Sequence, residues 1–89
     1  MASTVYQLPA FLEVSTVGAL QRSLIELRGT PLEIDASSVE FAGVLGLQVL
    51  LAAEETWEKD GMSFLVRARS QQFNDALQLT GVSFPDGGT

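Results

Sequence analysis

Hydrophobic and polar positions along the chain fall into short alternating runs separated by longer runs at helical spacing. Val5-Tyr6-Gln7-Leu8 alternates and stops at Pro9, which suits a short edge strand because proline brings no N–H to a ladder. Phe11 to Val14 reads as a second short extended piece. Ser15 or Thr16 can cap a helix, and Val17, Leu20, Leu24 and Leu27 then recur every three or four residues, so a helix is predicted over about 16–28. Gly29 suits the position after its C-cap, and Pro31 blocks continuation. Leu32, Ile34 and Ala36 alternate with Glu33 and Asp35 as a strand. Ser37 to Phe41 follows as a loop with Val39 and Phe41 as apolar anchors.

Gly43 and Gly46 bracket the start of a second helix, whose inner face is predicted to hold Leu47, Leu50, Leu51 and Trp57. Asp60-Gly61 closes it. Ser63 to Ala68 is a clear strand, with Phe64 and Val66 facing opposite to Leu65 and Arg67. Ser70 caps a short third helix, with Phe73, Ala76, Leu77 and Thr80 inward, and Gly81 ends it. Val82-Ser83-Phe84 reads as a last strand, and residues 85–89 as a flexible tail. The order is β-(β)-α-β-α-β-α-β. Strands alternating with helices predict an α/β domain over residues 1–84: a mostly parallel sheet of about four strands packed by three helices.

Composition narrows what such a domain can do. The chain has 89 residues, room for one domain and not two. It contains no cysteine and no histidine, so disulfides, Cys or His metal ligation and Ser-His-Asp or Cys-His nucleophilic mechanisms are unavailable to it. Eleven acidic and five basic residues give a net charge of −6, which repels a phosphate backbone and argues against nucleic-acid binding. The mean hydropathy of +0.23 leaves room for apolar surface facing a partner. No apolar run reaches the roughly 18 residues of a membrane span, and Met1-Ala2-Ser3-Thr4 has no basic n-region and no apolar h-region, so no signal peptide is expected. A cytoplasmic protein is expected, with no direct membrane insertion.

Candidate chemistry is sparse. Glu54, Glu55 and Glu58 lie on one helix; a hard cation needs oxygen ligands from several elements, so they read as a solvated face and no metal site is expected. Asp35 ends a strand, where α/β proteins place functional groups, and Glu40 could partner it. The plainer reading is that Asp35 caps the following turn through its backbone N–H groups. Gly43-Val44-Leu45-Gly46 offers N–H groups at a helix start but lacks the Gly-Lys-Ser/Thr ending of a P-loop, and reads as a tight passage into the helix. Trp57 is expected to be partly buried, with its indole N–H reaching outward; a partner-binding role is the minority reading.

The middle of the chain resembles the signature of the STAS domain family, which includes the anti-sigma-factor antagonists. Asp35-Ala36-Ser37 fits the strand ending in Asp-x-Ser, Val39-x-Phe41 the apolar-x-Phe loop, and Gly46-Leu47 the end of the Asp-Ser-Ser/Thr-Gly-Leu that opens a helix. Asp60-Gly61, Phe64 to Val66 and Leu77-x-x-Thr80-Gly81-Val82 match in type and spacing, so the resemblance covers about residues 12–84. In switching members of the family, a partner kinase phosphorylates a Ser or Thr at the start of the second helix. The matching position is Val44, and the preceding Asp is Gly43. Without a hydroxyl at residue 44 that switch cannot operate, and no phosphorylation site is expected there. Ser37 and Ser38 are nearby hydroxyls, expected to bond the turn backbone.

Ile34 to Ser37, Leu47 to Ala53 and Trp57 before Asp60-Gly61 further resemble short STAS proteins of bacterial chemotaxis operons. Another relative in kind is the small STAS subunit of phospholipid-transport ABC systems, which binds the ATPase subunit. The resemblance implies a non-enzymatic docking module without cofactor. It would bind a kinase or switch protein of chemotaxis histidine-kinase signalling, or an anti-sigma factor. Ser37, Phe41, Ala42, Gly43, Val44, Leu45 and Gly46 would form the partner-binding segment. Binding the ATPase of an ABC transporter is the alternative. An enzyme working through Asp35 is the third and weakest reading. Oligomeric state is not legible in the sequence.

Overall fold

The computed structural model describes residues 3–84; the expected tail at 85–89 lies outside them. Five strands and three helices follow the order β1 (Thr4–Gln7), β2 (Phe11–Leu12), α1 (Val14–Leu27), β3 (Leu32–Asp35), β4 (Phe41–Ala42), α2 (Val44–Lys59), β5 (Phe64–Arg67) and α3 (Gln71–Thr80). All strand pairs are parallel, but they form two sheets: β1-β3-β5 with β3 central, and a small ribbon of β2 with β4. The predicted α/β architecture holds, with its strands divided three and two rather than gathered in one sheet.

The register explains the layering. Leu32 and Ile34 stand beside Phe64 and Val66 on one sheet face, and all four are buried. Leu20 and Leu24 from α1 join them in the core, as do Leu47, Leu50 and Trp57 from α2. Alternate positions put Glu33, Asp35, Leu65 and Arg67 on the opposite face, where Arg67 pairs with Glu33 at 2.7 Å across the strands, both side chains part-exposed. A period of two in the sequence thus becomes an inner and an outer face.

Local chemistry sets the helix ends. α1 begins at Val14, two residues before the predicted start, because Thr16 is not the cap. It sits one turn in, and its Oγ1 accepts from the Glu13 N–H at 3.0 Å and donates to the Phe11 carbonyl at 2.7 Å. Val14, expected in a strand, is therefore helical. Gly29, Gly61 and Gly81 take positive φ after their helices, a conformation costly for residues with a Cβ. Ser70 caps α3 as predicted, accepting from the Phe73 N–H at 3.1 Å.

Two expectations fail in instructive ways. Val82–Phe84 is not a strand. Phe84 is nevertheless buried beside Phe73, and its carbonyl accepts from Arg69 Nη2 at 2.8 Å. A guanidinium has taken the place of a ladder partner, so burial no longer requires a sheet edge. Trp57 is 2% exposed rather than partly buried, and its Nε1–H donates to the Thr30 carbonyl at 2.7 Å, so the indole points inward and is satisfied there.

Candidate functional site

The loop after β3 is fixed at several points. Asp35 Oδ1 accepts from the Ser37 N–H at 2.9 Å, the turn cap predicted for it. Hydrogen bonding from Ser37, by hydroxyl and by backbone, holds the Asp35 carboxyl below the usual carboxylate range. Ser38 Oγ accepts from Gln7 Nε2 at 2.7 Å, a contact to β1 rather than to the turn backbone. Val39 is fully buried and anchors the loop, and its carbonyl accepts from Ser70 Oγ at 2.6 Å. The Glu40 and Phe41 N–H groups both donate to the Ala10 carbonyl, which brings Phe41 alongside Phe11 in the ribbon.

The ribbon then delivers two helices. It is parallel, so β2 and β4 end at the same side: Leu12 leads through Glu13 into α1, and Ala42 through Gly43 into α2. The Gly43 N–H donates to the Leu12 carbonyl at 2.8 Å. Gly43 has an ordinary negative φ, so its conformation does not demand glycine, but the space beside it is tight. A Cβ there would meet the Leu12 carbonyl oxygen at 3.2 Å and the Phe41 ring at 3.4 Å. At Gly46 the clash would be harder, 2.9 Å from Leu12 Cβ.

The result is an apolar surface around the start of α2. Phe41 is 52% exposed, Val44 56%, Leu45 49% and Phe11 48%. Of the seven residues expected to contact a partner, Phe41, Val44, Leu45 and Ser37 are exposed, Ala42 and Gly43 are half-buried, and Gly46 is buried against Leu12. Phe41 was expected to be a loop anchor, yet Val39 alone fills that role. Sequence reasoning missed Phe11, and also Val14, which is exposed in the first turn of α1. The signal for Phe11 was faint: it precedes the buried Leu12 in a two-residue strand, too short for alternation to show which side chain turns outward.

The chemistry available here is burial of apolar area. Asp35 and Glu40 do not hydrogen-bond one another, and no group of three acidic side chains converges among the described residues. No buried side-chain nitrogen or oxygen among them lacks a partner. Val44 puts two methyl groups at the first position of α2, where the helix N-terminus would otherwise favour an anion.

A family model described as "Mlab, STAS domain" matches residues 5–83, nearly the whole described chain. The chain belongs to the STAS domain family. Domains of this family are generally non-catalytic regulatory modules that engage other proteins. The STAS fold is also seen in solved structures. Part of murine Solute Carrier 26 family member A9, an anion transporter in the inward-facing state, superposes with a TM-score of 0.70 at 21% identity. That match covers 88% of this chain and 13% of the transporter. A second structure of SLC26A9 matches with a TM-score of 0.52 and 16% identity, over 93% of this chain and 18% of that one. The chain thus spans less than a fifth of either protein. Comparison with curated protein sequences gives no match. No helix among the described residues is long and apolar enough to cross a membrane.

Proposed function

We propose that residues 1–84 form one STAS docking module that engages a protein partner constitutively, with no phospho-switch at residue 44. The observation that carries this reading is the exposure of Phe41, Val44 and Leu45 beside Phe11 at the start of α2, with valine where the family's switch hydroxyl would stand. Fully burying such side chains contributes about 1.5–3 kcal/mol each. Four that are half-exposed therefore offer on the order of 3–6 kcal/mol gross, against the entropy lost on association. A small, well-packed contact follows.

The partner is a kinase or switch protein of a bacterial signalling system, met in the cytoplasm. Chemotaxis histidine-kinase signalling is the preferred setting, supported by Ile34 to Ser37, Leu47 to Ala53 and Trp57. Sigma-factor control is next. The second reading is a regulatory subunit that binds the ATPase of a phospholipid-transport ABC system.

Two measurements test this. Val44→Asp places a carboxylate at the first position of α2, which the helix N-terminus accommodates, so the fold should survive. Partner binding followed by calorimetry should weaken about tenfold or more; an unchanged Kd removes this surface from the reading. A pull-down from the source cell separates the settings, since recovery of a two-component kinase supports the first and recovery of a transport ATPase the second.

A further inference from the structure

A second surface adjoins the Phe41 face and shares Leu45 with it. Helices α1 and α2 leave the ribbon side by side, and their far ends are clasped where Arg28 Nε and Nη2 donate to the two Asp60 carboxylate oxygens at 2.9 and 3.2 Å. Between them runs a groove of about 620 Å³. Gly18, Arg22 and Ile25 line it from α1, and Leu45, Val49 and Ala52 from α2. It extends from residue 18 to residue 28, about 15 Å at the helical rise, or nearly three turns. Ile25 is 73% exposed on its rim, so the groove is open along its length and is not an enclosed ligand cavity. Gly18 and Ala52 keep its walls low, and the Arg22 guanidinium lies over Gly18, where a Cβ would stand 3.6 Å from Nη1.

Charge identifies the occupant. The chain carries −6 overall, yet no carboxylate lines this groove; its charged lining residues are Arg22 and Arg28. Arg28 is held by Asp60, whereas Arg22 makes no salt bridge among the described residues. The three other paired or carbonyl-bonded cation sites of the chain, at Arg28, Arg67 and Arg69, have their guanidinium groups engaged. An apolar groove three turns long with an unengaged arginine on its wall, in an otherwise acidic protein, is complementary to one kind of partner element.

We propose that the α1–α2 groove docks an acidic amphipathic helix of a partner protein, its apolar stripe on Ile25, Val49 and Ala52 and a carboxylate on Arg22. This contact shares only Leu45 with the Phe41 face, its other residues lying farther along α1 and α2, so either can stand if the other falls.

The probe is a phage-displayed library of helix-biased peptides selected against the whole chain, with recovered peptides mapped by amide chemical shifts. Acidic amphipathic sequences should be recovered and should shift Gly18, Arg22, Ile25, Val49 and Ala52. Their binding should weaken about tenfold or more with Arg22→Glu and with Ala52→Trp, two changes at exposed helix positions, and should be untouched by Val44→Asp. Recovery of basic or uncharged peptides, shifts confined to Phe41 and Val44, binding that survives Arg22→Glu, or no recovery at all would each overturn the proposal. Far-ultraviolet circular dichroism of the variants confirms that lost binding is not lost folding.

Discussion

Gly46 shows how a single missing side chain can position a helix. Its Cα packs on Leu12 so closely that a methyl group would sit 2.9 Å from Leu12 Cβ, an atom fixed to the backbone and unable to swing away. Overpacking of this kind costs about 1–3 kcal/mol, and alanine's better helix propensity returns at most about 1 kcal/mol. Gly46→Ala should therefore lower stability by up to about 2 kcal/mol, read as a reduced urea midpoint with unchanged slope. Asp35 makes a different prediction, through pH. Ser37 depresses its folded-state pKa below the unfolded value. The stabilisation is therefore complete above the ordinary carboxylate range and is lost as pH falls through the lowered folded value. Asp60, lowered by Arg28, acts in the same sense. Urea midpoints taken from neutral pH to about pH 2 should fall less steeply in the acid limb for Asp35→Asn. An acid limb identical to the parent's would show that the Ser37 hydrogen bonds do not contribute.

At the scale of elements, what was legible depended on length. α2 and α3 could be read because apolar positions recur over several turns and glycine stops each helix. β3 and β5 could be read because alternation runs through four residues or more, and their parallel pairing followed from the helix between them. β4 was invisible: Phe41–Ala42 is a strand only because β2 lies alongside, a fact of tertiary contact. The early start of α1 has the same origin, since Thr16 reaches back across a turn to Phe11. The Val82–Phe84 segment was misread because two apolar residues either side of Ser83 alternate as in a strand, while the arginine that satisfies the Phe84 carbonyl lies fifteen residues earlier in sequence. In the candidate site, the exposed segment 41–45 was legible through its resemblance to the family, whereas Phe11 entered only through pairing in space. Thr16 is the element-scale test. Thr16→Val removes the bonds to Glu13 and Phe11 at little change of shape, and should cost about 1 kcal/mol. Hydrogen exchange should quicken in the first turn of α1 and leave α3 unchanged.

Over the whole molecule, the two faces of the main sheet differ. Parallel sheets are ordinarily covered on both sides, but here the inner face carries the core while the outer face bears Glu33 and Arg67 in a part-exposed pair. A pair so exposed contributes little, between about 0 and 1 kcal/mol, so stability rests on the single apolar cluster joining α1, α2, α3 and both sheets. One core should give one transition. Trp57, buried in that cluster 5.7 Å from Phe64, reports on it directly. Its fluorescence and the far-ultraviolet signal should unfold with coincident midpoints in urea. Separate midpoints would mean that the ribbon end or α3 melts independently of the sheet.

Phe11 and Leu12 form a strand of only two residues, yet both long helices are pinned to them. The Phe11 carbonyl holds Thr16 at the head of α1, the Leu12 carbonyl holds Gly43 at the head of α2, and Leu12 Cβ is the seat on which Gly46 rests. Two residues thus act as a common hub from which α1 and α2 take their bearings. The spacing between those helices, and with it the width of the groove they enclose, is inherited from a dipeptide that also presents a phenyl ring to the exterior.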